Sequence, residues 1–83
     1  MNTLHLTLVT PEKLVLEEDA SQVNVATAVG EIGILPNHVE LATLLVPGKL
    51  KAKIGEKTVT LNHTEGYLQV FKNTVTVFTE KVE

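Results

Sequence analysis

The sequence contains no cysteine, no arginine and no tryptophan, and each absence removes a class of chemistry. Without cysteine there is no disulfide framework, no thiolate zinc site and no cysteine nucleophile, a composition that suits a cytosolic compartment. Seven lysines stand against ten acids, for a formal net charge of −3. With no arginine fork and no basic excess, a nucleic-acid partner is not expected. Aromatics are scarce: Tyr67, Phe71 and Phe78 make a poor platform for stacking a sugar or another planar ligand. Long apolar runs are also missing. The most apolar stretch, Leu41 to Val46, falls far short of the roughly 20 residues of a spanning helix. The opening "MNTLHLTLVT" has neither a positive leader nor an unbroken apolar core. Direct insertion into a bilayer is therefore not expected.

What is present fits one small domain of 83 residues, 43% of them hydrophobic. A domain of this size buries only about 60% of the surface its unfolded chain exposes, so its core is modest and support from a partner is expected. The dominant period is two. Leu4, Leu6 and Leu8 alternate with Thr3, His5 and Thr7; Val23 and Val25 with Gln22 and Asn24; Leu50, Ala52 and Ile54 with Lys49, Lys51 and Lys53. Val59 and Leu61, Leu68 and Val70, and Val75 and Val77 continue the pattern. Turn signals separate these runs: "TPEK", "EEDAS", "LPNH", "VPGK", "IGEK", "HTEG" and "FKNT". Short strands between closely spaced turns imply an all-β, antiparallel sandwich or flattened barrel. No amphipathic helix, linker or internal repeat is visible.

Candidate chemistry is thin. His5, His38 and His63 have no second ligand at a metal-like spacing, and His5 and His63 alternate with apolar residues as solvent-facing positions do, so no metal is assigned. The acids of "EED" at 17–19, with Glu31, Glu40 and Glu65, read as solvated turn charges, because no nucleophile stands beside them. No catalytic residue is assigned. Lys49, Lys51 and Lys53 form a basic stripe that suits solubility and the protection of an edge strand. The glycines of "VGEIG" match no phosphate-binding spacing, so no cofactor is assigned, and they read locally as a tight β-connection.

One longer pattern is more specific. "GEIGILPNH", continuing through Thr43 to Pro47, Gly48 and Leu50, resembles the hallmark segment of the epsilon subunit of F-type ATP synthase. "LHLTLVTPEKLV" is similar to that family's first hairpin, and "EGYLQVFKNTVTVFTEKVE" to its last two strands. The resemblance implies a ten-stranded β-sandwich in which residues 1–83 form the N-terminal domain of a non-catalytic central-stalk rotor subunit. The implied partners are the gamma subunit, the polar loops of the c-ring and, indirectly, the catalytic alpha/beta head. The implied location is peripheral, on the cytoplasmic face of a bacterial-type inner membrane or the equivalent face of another energy-transducing membrane. Carried over by position, Glu31 matches the c-ring contact, and Thr10, His38 and Thr43 match the gamma contact.

The same resemblance leaves Ile34, Leu35, Leu41 and Leu44 undivided between core and interface. Asn37 stands where the family often has glycine, and Glu65 where a second glycine is common. Asparagine tolerates the left-handed conformation, so the first turn is expected to form. The longer members continue past "FTEKVE" into two helices that carry inhibition and nucleotide sensing, so the chain reads either as a short epsilon subunit or as the N-terminal domain alone. The alternatives to a stalk subunit are a free-standing β-sandwich binding module and a small enzyme.

Overall fold

The period-two segments become strands whose dry faces meet, and turn chemistry decides where the chain reverses. The computed structural model describes residues 3–38 and 40–83, with nine strands among them. These are β1 (Leu4–Val9), β2 (Leu14–Ala20), β3 (Gln22–Thr27), β4 (Gly30–Ile34), β5 (Leu41–Leu45), β6 (Gly48–Ile54), β7 (Lys57–His63), β8 (Gly66–Phe71) and β9 (Thr74–Thr79). An isolated bridge between His63 and Val82 adds one short pairing to the nine, where the family resemblance implies ten strands. Among the described residues no helix is long and apolar enough to cross a membrane.

The hydrogen-bonded order is β2-β1-β9-β8-β5-β3-β6-β7, with β4 on the free side of β3. β5 and β3 share a single pair, Thr27 with Leu45, and there the sheet folds over. One layer is β2-β1-β9-β8-β5 and the other β4-β3-β6-β7, with β2 brought against β6. The pairings are antiparallel except that of β1 with β9, which is parallel. Alternation specifies which face of a strand is dry and is silent on which strand lies beside it.

The core between the layers is aliphatic: Leu4, Leu6 and Leu8 meet Val23, Val25, Ile34, Leu50, Leu68, Val70, Val75 and Val77. Each such side chain contributes about 1.5–3 kcal/mol when fully buried. Ile34 belongs to this core and Leu41 packs against it, whereas Leu35 and Leu44 are exposed.

The "LPNH" turn closes with His38 N–H donating to Leu35 O at 3.1 Å. Proline at its second position and Asn37 at its third, with φ 68°, are the marks of a type II turn, so asparagine does serve where glycine is common. Lys72 and Asn73, with φ of 45° and 61°, make the two-residue β8–β9 hairpin with both central residues left-handed. Asn37 N–H donates to Asn73 Oδ1 at 2.6 Å and ties the two turns together.

Several expectations are corrected. "GEIGI" is strand β4 rather than a tight connection: Ile32 and Ile34 face Val25 and Val23, and only Gly30, with φ 117°, has turn geometry. Glu17, Glu18 and Asp19 lie in β2, because pairing with Thr7, Leu6 and His5 of β1 outweighs their poor strand propensity. Glu18 sits opposite Leu6, on the core-side phase of an edge strand, yet is exposed, an arrangement that resists pairing with a further strand. The lysine stripe protects no edge, since β6 lies between β3 and β7. His63 is buried, not solvent-facing: Nδ1 pairs with Thr64 O at 3.0 Å and Nε2 has no partner. The closing segment covers it, with Asn62 and Glu83 exchanging backbone hydrogen bonds of 2.8 and 2.9 Å.

Candidate docking surface

The outer face of the first layer carries apolar residues in the phase that elsewhere is polar. Val9 stands beside Phe78, Phe78 opposite Tyr67, and Tyr67 opposite Leu44, so one row crosses β1, β9, β8 and β5. At about 4.8 Å between strands this row is roughly 14 Å long. Leu44 is 63% exposed, Phe78 44% and Tyr67 41%, so the row faces solvent rather than filling the core. Together with Phe71, which is also exposed, every aromatic of the chain lies outside.

One end of the row opens into a groove of about 360 Å³, bounded by Val9, Pro11, Tyr67 and Phe78 and by Glu65 and Glu80. Gly66, in the groove lining, is required by the close approach of β8 to β9: a Cβ there would overlap the Phe78 carbonyl oxygen and come within 2.9 Å of Thr79 Cα. Beyond Leu44 the apolar surface continues to Val46 and to Val29, which is 85% exposed at the β3–β4 turn. Ala28 N–H donates to Leu44 O at 3.1 Å and Val46 N–H to Ala26 O at 3.2 Å, which fixes this tip to the sheet.

The residues singled out by position do not form one cluster. Thr10 is buried at the groove, its Oγ accepting from Lys13 N–H at 3.3 Å to close the first turn. Thr43 is half-buried on the inner face opposite Leu68, one residue from exposed Leu44. His38 lies in the turn tied to the β8–β9 hairpin, at the other end of β5 from the groove. The length of β8 separates those ends, roughly 17 Å. Glu31 is exposed on β4 opposite Ala26, next to the Val29 tip.

Sequence reasoning missed Val9, Tyr67, Phe78 and Val29 as surface features. A signal was present for Tyr67 and Phe78. "GYLQVF" is apolar in both phases, and "TVTVFT" breaks its polar phase at Phe78, as a strand does when both faces are to be covered.

Elsewhere on the same face His5 bridges two carboxylates, with Nε2 at 2.8 Å from Glu17 Oε2 and Nδ1 at 3.2 Å from Asp19 Oδ1. Hydrogen bonding to Glu17 and then to Asp19 holds the imidazole above its ordinary value of 6.5. Among the described residues no group of three His, Cys, Asp or Glu side chains is placed to hold a metal ion.

A two-layer β domain with an exposed apolar row ending in a preformed groove has the makings of a protein-docking module. Its family follows from comparison: residues 3–83 match the family described as ATP synthase, Delta/Epsilon chain, beta-sandwich domain, and the chain belongs to that family. An ATP synthase epsilon chain of Nitratidesulfovibrio vulgaris (strain Miyazaki F) is 42% identical over 81 residues, covering 98% of this chain and 60% of the relative. That of Halalkalibacterium halodurans is 37% identical over 83 residues, covering 100% of this chain and 62% of the relative. The chain thus spans about three fifths of the length of these relatives. In fold it matches a chain in the Euglena gracilis mitochondrial ATP synthase OSCP/F1/c-ring structure, with a TM-score of 0.94 and 24% identity, over 100% of this chain and 54% of that one. A chain of the Tetrahymena thermophila mitochondrial ATP synthase central stalk and c-ring matches with a TM-score of 0.83 and 24% identity, over 96% of this chain and 65% of that one.

Proposed function

We propose that residues 1–83 form the N-terminal domain of a rotor subunit that joins the gamma subunit to the c-ring of an F-type ATP synthase, without catalysing a reaction itself. The observation that carries this reading is the exposed apolar row Val9, Phe78, Tyr67 and Leu44 with its groove. A small domain keeps such a row outside its core at a cost in solubility, and a permanent partner removes that cost. The gamma subunit is the partner on this face, with Thr10 at the groove, Thr43 next to Leu44 in sequence, and His38 at the opposite end of β5. Glu31, with Val29 and Val46 at the tip, meets the polar loops of the ring. The catalytic alpha/beta head is reached only through gamma. The domain is peripheral, on the cytoplasmic face of a bacterial-type membrane.

The test is co-elution of this chain with a gamma-containing catalytic head from the same organism. Phe78→Asp is expected to abolish co-elution while circular dichroism shows the fold intact, and Lys51→Glu, on the other layer, is expected to leave it unchanged. Co-elution retained by Phe78→Asp overturns the assignment of the gamma face. In reconstituted membranes Glu31→Arg is expected to lower coupled proton pumping without releasing the domain from gamma. Unaltered pumping in that variant overturns the ring contact.

A further inference from the structure

The groove has a charge as well as a shape. Its walls are apolar, but both charged residues that bound it are acids, Glu65 and Glu80, and no lysine bounds it. Gly66 pairs with Thr79 at the end of the β8–β9 ladder, so Glu65 and Glu80 occupy the next opposed position beyond it. Like charges at opposed positions repel. Both side chains are exposed, and among the described residues neither makes an ion pair. Lys13 and Lys81 bound the adjacent depression, which shares Thr10 and Glu80 with the groove, and not the groove itself.

Pro11, Tyr67 and Phe78 hold the apolar walls on two strands and a turn, and Gly66 lets β8 approach the backbone of β9 closely at the groove. A partner that inserted only an apolar side chain would cover the two carboxylates and increase their mutual repulsion by removing water. A partner that also brings a cation relieves it.

We infer that the groove accepts a paired anchor from the gamma subunit: one apolar side chain seated against Val9, Pro11 and Phe78, with a lysine or arginine adjacent to it that meets Glu65 and Glu80. This inference rests on the reading of the apolar row as the gamma face, and it adds the chemistry that gamma must present. Apolar contact supplies most of the affinity, and the carboxylate pair supplies register and rejects a partner that presents an acid there.

The experiment measures binding of this chain to the gamma subunit of the same organism at about 0.05 M and about 0.5 M salt, where screening differs strongly. The parent, the Glu65→Gln/Glu80→Gln double variant and Phe78→Ala are compared. The double variant is expected to bind about tenfold more weakly at low salt, a difference of about 1.4 kcal/mol, and like the parent at high salt. Phe78→Ala is expected to lose affinity at both. If the double variant binds like the parent at both salts, or more tightly at low salt, while Phe78→Ala is impaired, the cation is refuted and the gamma face survives. If Phe78→Ala binds like the parent, or the parent does not bind gamma, the reading of the face fails and this inference fails with it.

Discussion

The two outer faces of the sandwich were built by the same period-two rule and came out opposite. On the first layer the outward phase carries Val9, Phe78, Tyr67 and Leu44. On the second it carries Lys49, Lys51 and Lys53, with Gln22 and Asn24 beside them on β3 and Thr58 and Thr60 on β7. Both faces lie over one aliphatic core, so neither is needed to fill it. The difference lies in what each face presents: the second hydrated charge and hydroxyls, the first uncovered apolar surface. An apolar outward phase on adjacent strands is costly unless it is covered, whereas a lysine row keeps its charges hydrated at no cost to the fold.

The largest expected effect breaks the comparison at its backbone. Gly66→Ala forces a Cβ into the Phe78 carbonyl under the apolar face, and should lower stability by about 3 kcal/mol by pushing β8 and β9 apart. Gly33→Ala, under the polar face, places its Cβ 3.4 Å from the Asn24 side-chain amide, an ordinary contact. It should leave stability unchanged or raise it by about 0.5 kcal/mol. Urea denaturation of both variants measures the contrast, and equal losses would show that the two layers are equally tight.

A smaller effect separates the faces by pH. The His5 pairing with Glu17 and Asp19 lies on the first layer, and its folded-state value is raised above 6.5. Its stabilisation is therefore complete below the unfolded value and is lost as pH rises through the folded one. Because the group is solvent-exposed the effect is expected to be slight. Denaturation from about pH 5.5 to about pH 8.5 should show a decline in the parent relative to His5→Gln, and parallel curves would show that the pairing contributes nothing.

Much of the architecture was readable from residue order. Six runs of alternating apolar residues fell in strands, and "LPNH" and "FKNT" turned where their proline and asparagines required. β4 escaped because its glycines were weighed as turn residues, although Ile32 and Ile34 kept the strand period between them. β2 was obscured by three consecutive acids. His63 was read as alternating with apolar residues, whereas it continues the inward phase of Val59 and Leu61. Of the candidate site, Glu31 and Thr10 were chosen by position within a family pattern, and the aromatics that form the apolar row were discounted because there were so few.

Alternation, turn residues and the absence of cysteine and long apolar runs were enough to specify an all-β domain with a dry interior, because these are local properties of a strand and its ends. Which strands lie side by side was not local. The parallel pairing of β1 with β9 and the fold of the sheet at Thr27 and Leu45 depend on closing the whole aliphatic core at once. That pairing sets Val9 beside Phe78, and the β8–β9 pairing sets Phe78 beside Tyr67, so that separated apolar residues become one exposed row. A surface is defined by neighbours across strands, and those neighbours exist only after the chain has folded.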